Sequence, residues 1–139
     1  MQKTSYEPWR PSELPRLARE IIGVHWDARL HEILRLEVAE SCNDPSSIEI
    51  AFSLVRAFQG IDEGYRLLDV PMGNALIYRT AESAYLETFR QNAPSTMDDF
   101  PLVHWVIVSC NQCVDVLTEH EPMIRTTNRI VDAPGSSRS

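Results

Sequence analysis

Residues 100–122, FPLVHWVIVSCNQCVDVLTEHEP, are the one place in this chain where an apolar run meets two closely spaced thiols, and their reading decides the fold. Taken as a helix over 101–120, the tract places Leu102, Trp105, Val106, Ser109, Cys113, Val116, Leu117 and His120 on one face at three- and four-residue steps. Val103, Ile107 and Val114 load the opposite face, so such a helix lies centrally and is covered on most sides. Thr96-Met97-Asp98-Asp99 ahead of Pro101 fits a helix entry, with carboxylates near the positive end of its dipole. The β-branched content leaves a strand over 102–108 as the alternative.

Outward from this tract, prolines cut the chain into pieces of helical length. Asn43-Asp44-Pro45 has the form of a helix start, since a side-chain oxygen caps free N–H groups and proline at the first helical position loses none. Ile48, Ala51, Leu54, Val55, Phe58, Ile61, Tyr65 and Leu68 then recur at helical spacing, with Pro71 as the stop. Upstream, Ser12 caps a predicted helix to Ile22, and Trp26, Leu30, Ile33, Leu34 and Val38 form another apolar stripe. Pro71-Met72-Gly73-Asn74 is a fork: 65–80 pairs as a hairpin around it, or Asn74 caps a helix through Ile77, Ala81, Ala84, Tyr85 and Thr88. The abundance of Ala, Glu, Leu, Arg and Gln over 75–91 favours the helix.

The expected architecture is therefore all-α. Residues 1–11 form an extended arm, 12–132 a single domain of five or six helices packed irregularly around the 101–120 helix, and 133–139 a disordered tail. The alternative is an α+β domain with a hairpin at 65–80 and a strand at 102–108. A chain of 139 residues, 43% of them apolar, suits one domain with a real core.

Charge narrows the partners. Thirteen basic against twenty acidic residues leave a formal charge of −7, which opposes attraction to nucleic acid and to anionic membranes. No export signal opens the chain and no apolar run approaches membrane-spanning length, so a cytoplasmic location is expected. Three cysteines then imply reduced thiols rather than a disulfide framework.

Two chemistries compete. Cys110 and Cys113 form a C-x-x-C pair able to hold a soft metal or a redox disulfide, yet only 26 residues follow Cys113, too few for a thioredoxin-like fold. A structural zinc needs four ligands, and Cys42, His104 and His120 show no supporting spacing. Packing is the simpler role for thiols in an apolar run. His25 and His31 stand six apart, on different helix faces, and no nucleophile elbow, phosphate loop or dinucleotide fingerprint is present. An enzyme is thus disfavoured, and no cofactor is expected.

What remains is a binding surface. Tyr6, Trp9 and Arg10 in the proline-rich arm are residue types that anchor interfaces, and Asp62, Glu63, Asp98 and Asp99 crowd the expected connectors, where they would attract a basic partner. The function expected is protein–protein binding, by an inhibitor, immunity or anti-defence protein of bacterial or phage origin. A thiol redox or metal-binding protein using Cys110 and Cys113 is the alternative. A homodimer is a second way to cover a helix as apolar as 101–120.

Overall fold

The computed structural model describes residues 6–11, 20–29, 31–39, 46–62, 75–92, 101–110 and 112–128. Its two antiparallel sheets overturn the all-α bundle. The deciding tract is a hairpin of β7 (Val103–Val108) and β8 (Gln112–Thr118), in which Val103 faces Thr118 and Val108 faces Cys113. Its turn is closed by Ser109, whose N–H and Oγ–H both donate to the Gln112 carbonyl, at 3.1 and 2.6 Å, while Gln112 N–H donates back to Ser109 Oγ at 3.1 Å.

The remaining strands are β1 (Glu7–Pro8), β2 (Glu20–Asp27), β3 (Ile33–Ala39), β4 (Ser46–Phe52), β5 (Ala57–Asp62), β6 (Ile77–Thr80) and β9 (Met123–Asn128), with one helix, α1 (Ala84–Asn92), among the described residues. One sheet runs β1-β6-β7-β8-β5, the other β2-β3-β4-β9. A shared ribbon links them. Ser46 faces Asn128 and Ala51 faces Met123 in one sheet; six residues further along each strand, Ala57 faces Leu117 in the other. No residue is inserted at the corner, so 46–62 and 112–128 act as two long strands that bend together from one sheet into the next.

The corner at 53–56 is pinned from two sides. Thr118 Oγ–H donates to the Ser53 carbonyl at 2.8 Å, and Leu54 and Val55 N–H donate to the His31 and Glu32 carbonyls at 2.9 and 3.1 Å. Leu54 takes a left-handed φ of 51° to make the bend, and His31 (60°) and Glu32 (48°) do the same in the β2–β3 turn. Each such residue costs about 1–2 kcal/mol, offset by these hydrogen bonds.

The main core lies between the sheets. Leu34, Leu36 and Val38 of β3, Ile50 and Phe52 of β4, Ile77 of β6, Trp105 and Ile107 of β7, and Val114 and Val116 of β8 are buried there together. On the outer side of the four-stranded sheet, polar residues pair among themselves: Arg125 with Glu49 at 3.1 Å, Arg35 with Glu49 at 3.9 Å, and Ser47 Oγ–H to Glu37 at 2.9 Å. A third layer covers the other face of the five-stranded sheet, where Leu86, Tyr85 and Phe89 of α1 meet Leu102, Leu117 and Ala57.

The helical expectations are corrected wherever the residues are described. The stripe from Ile48 to Ile61 resolves into β4 and β5, with Tyr65 and Leu68 outside the described residues; that from Trp26 to Val38 resolves into the end of β2, a turn and β3, with Leu30 outside them; and of the helix expected from Ser12 to Ile22, residues 12–19 lie outside the described residues while 20–22 open β2. The predicted helix over 75–91 is strand β6 followed by a helix that begins only at Ala84. Hydrophobicity on both faces of 101–120 arises because β7 and β8 are covered by the second sheet on one side and by α1 and Tyr6 on the other. Of the alternative, the strand near 102–108 is present; β6 pairs with β1 and β7, and 65–74, like Asn43 to Pro45, lie outside the described residues. Among the described residues no helix is long and apolar enough to cross a membrane.

Candidate functional site

Strand alternation sends His104 of β7 and Asp115 of β8 to the face covered by α1. Both side chains are 1% exposed, and His104 Nε2 lies 2.6 Å from Asp115 Oδ1. Gln59 of β5, directly opposite Asp115 in the sheet, donates from Nε2 to the second carboxylate oxygen at 3.0 Å. The chain continues upward into the helix. His104 Nδ1 lies 2.7 Å from the hydroxyl of Ser83, which caps α1 by accepting the Leu86 N–H at 3.1 Å.

The network is self-consistent with one proton arrangement. Asp115 accepts, so the imidazole carries its proton on Nε2; Nδ1 then accepts from Ser83 Oγ–H, and the Ser83 oxygen accepts from Leu86. Every donor named has an acceptor. Two aromatic rings pack edge-on to the imidazole: Tyr85 of α1 at 5.2 Å between centroids and Tyr6 at 5.8 Å. Burial, and next the negative charge of Asp115, push the Tyr85 phenol up to about 12.

A hydroxyl, an imidazole and a carboxylate in series are the residue types of a hydrolytic triad. The imidazole is buried beneath Tyr6 and Tyr85, and the Ser83 oxygen is committed to capping α1 through the Leu86 N–H. What the arrangement does is latch the helix to β7 and β8. Replacing Ser83 by Ala is expected to remove the cap and leave His104 Nδ1 unpaired, lowering stability by about 1–3 kcal/mol in denaturant unfolding.

Beside the latch, the surface holds a depression of about 530 Å³ along one side of α1. Ser83 and Leu86 line it, together with Glu82, Glu87 and Arg90. Glu82 and Glu87 are exposed and have no ion-pair partner among the described residues, in contrast to Glu49 and Glu121, which are both held by arginines.

The residues singled out by the sequence are dispersed. Tyr6 is buried against His104, and the arm pairs with β6 as β1. Trp9 donates its backbone N–H to the Ile77 carbonyl at 2.9 Å and its Nε1–H to Glu121 at 3.1 Å, with its ring 5.3 Å from Trp105. Arg10 is exposed, Asp62 ends β5, and Glu63, Asp98 and Asp99 lie outside the described residues. Cys110 is exposed in the hairpin turn while Cys113 is buried in β8 with Tyr78 and Val106; neither forms a disulfide. Among the described residues no three His, Cys, Asp or Glu side chains gather closely enough to hold a metal ion.

Sequence reasoning missed Ser83, Gln59 and Asp115, and took His104 only as a metal donor. The available signal was a lone histidine and a lone aspartate inside two apolar runs, since a buried polar group needs a partner. Comparison of the chain with family models, with curated proteins and with solved structures finds no match.

Proposed function

We propose that the protein acts by binding another protein that presents a basic surface, and that it does so at the depression beside α1. The observation that carries this reading is a pair of exposed carboxylates, Glu82 and Glu87, without an ion-pair partner among the described residues, lining a concave surface together with Leu86. Carboxylates unpaired among the described residues keep their field for an incoming cation, and the overall charge of −7 adds long-range steering in the same sense. Arg90 lines the same depression. An inhibitor, immunity or anti-defence protein of a bacterium or phage, working in the cytoplasm, fits this chemistry; nucleic acid and anionic membrane do not.

The test is a comparison of two baits. Wild-type protein and the double variant Glu82→Lys/Glu87→Lys are used to capture partners from the native host at low and high salt. The expected result is a basic partner retained by wild type, released by salt and at least about tenfold depleted on the variant. Equal recovery on both baits, or no protein enriched on either, would refute the reading. Both positions are exposed, so circular dichroism of the variant is expected to match wild type.

A further inference from the structure

Arg90 brings a positive charge to the depression beside α1, and no carboxylate among the described residues neutralises it. Its side chain is half-buried, with Nε closed off from solvent and without a hydrogen-bond partner. Other arginines of the chain are treated differently: Arg35, Arg56, Arg79 and Arg125 each lie 3.1–3.9 Å from a carboxylate. Glu87, three residues before Arg90, has the spacing of a helix-surface ion pair, yet no ion pair joins the two. A partly desolvated guanidinium without a counter-ion is unfavourable, and the chain keeps one beside two carboxylates that are also unpaired.

The charges have a fixed order along the depression. Leu86, Glu87 and Arg90 stand at three- and four-residue steps on one side of α1, and Glu82 continues that lining ahead of the helix, so the acids lie toward its start and the base toward its end. Residues three apart on a helix have Cβ atoms about 5–6 Å from one another. On an extended chain, side chains two residues apart stand on one side about 6–7 Å from one another, a close match to the Glu87 to Arg90 step. Because Nε is enclosed, the edge left for a carboxylate is the one formed by Nη1 and Nη2, which accommodates two parallel hydrogen bonds.

We infer that the depression takes an extended segment of the basic partner in which an Asp or Glu stands two residues from a Lys or Arg: the cation meets Glu82 and Glu87, and the carboxylate meets the Nη1 and Nη2 edge of Arg90. This rests on the reading of the depression as the docking site and adds to it a requirement for one acid. A segment with basic residues alone sets like charge against Arg90, and one with acidic residues alone sets like charge against Glu82 and Glu87. Only the mixed segment satisfies all three, so Arg90 selects among basic partners instead of adding to their general attraction.

Nuclear magnetic resonance titration of the full chain tests it with three peptides, Arg-Ala-Glu, Arg-Ala-Gln and Gln-Ala-Glu, each made in both orders and blocked at both ends so that only side chains carry charge. The expected result is that Arg-Ala-Glu, in one of its orders, binds at least about fivefold tighter than either singly charged peptide. It is expected to move the Arg90 Nε–H resonance, which Arg-Ala-Gln leaves in place. Arg90→Gln is expected to reduce the affinity for Arg-Ala-Glu to that for Arg-Ala-Gln. Equal affinities for these two peptides, with the Arg90 resonance unmoved, overturn the inference and leave the basic-partner reading standing. Tightest binding by Gln-Ala-Glu overturns both, and binding by none of the peptides overturns the inference, while the capture experiment decides the reading by itself. The Arg90 resonance is followed in wild type, so a folding defect in the variant does not decide the outcome.

Discussion

Asp115→Ala is expected to lower the stability of the protein by about 3–5 kcal/mol, because two donors each lose a hydrogen bond to a buried carboxylate, worth about 1.5–3 kcal/mol apiece. Two consequences add up at this one position. His104 Nε2 loses its acceptor at 2.6 Å, Gln59 Nε2 loses its acceptor at 3.0 Å, and both are buried or half-buried where water does not replace the carboxylate freely. A domain of this size has roughly 5–15 kcal/mol in total, so the change removes about a fifth of it or more. At roughly 3 °C per kcal/mol the melting temperature falls by about 10–15 °C, measured by calorimetry or by ellipticity. A double variant that also replaces His104 with an apolar residue is expected to be more stable than Asp115→Ala alone, because the stranded donor goes with it. If instead Asp115→Ala folds as stably as wild type, the latch has no structural weight.

Trp105→Ala is expected to cost a similar amount, about 3–5 kcal/mol, by a different physical route. Trp105 is 1% exposed at the centre of the inter-sheet core, with the Trp9 and Phe52 rings 5.3 and 6.0 Å from its own and the Arg79 guanidinium 5.7 Å from its centroid. Truncation opens a cavity touching both sheets and the arm together. Trp105→Phe is expected to be far milder, because Trp105 Nε1 makes no hydrogen bond to the described protein and most of the ring volume is kept. Urea midpoints for the two variants, with unchanged m-values, separate packing from any change in the unfolded state.

Why the strand setting of these two positions escaped sequence reasoning is a matter of period. In β3 the alternation was legible: Leu34, Leu36 and Val38 point inward while Arg35 and Glu37 point out, a clean two-residue repeat. The stretch was assigned to a helix because Trp26 and Leu30 extend it backward at helical spacing, whereas Trp26 belongs to the preceding strand. In β7 and β8 the alternation is erased, since both faces are covered and apolar residues fill both. Only His104 and Asp115 interrupt those runs, and they mark the face beneath the helix. Ser83 as a cap was equally available in sequence, followed three residues later by Leu86, but the expected helix was begun nine residues too early at Asn74. Partners such as Gln59 depend on strand pairing across more than fifty residues, which no local pattern encodes.

The arm shows the same limit from the other side. Tyr6 and Trp9 have the composition of interface anchors, and they do anchor an interface, but within the chain: one packs against His104 and the other against Trp105. Residue type announces that a large amphipathic ring will be buried; it does not say against what.

The most direct measurement is the pattern of nuclear Overhauser effects in residues 100–122 of the protein in solution. The account expects cross-strand contacts between the Val103–Val108 and Gln112–Thr118 backbones, together with a strongly downfield His104 Nε2 proton close to Asp115. A continuous ladder of sequential amide contacts with i to i+3 connectivities through 101–120 would contradict it, since a helix there leaves neither the two sheets nor the latch.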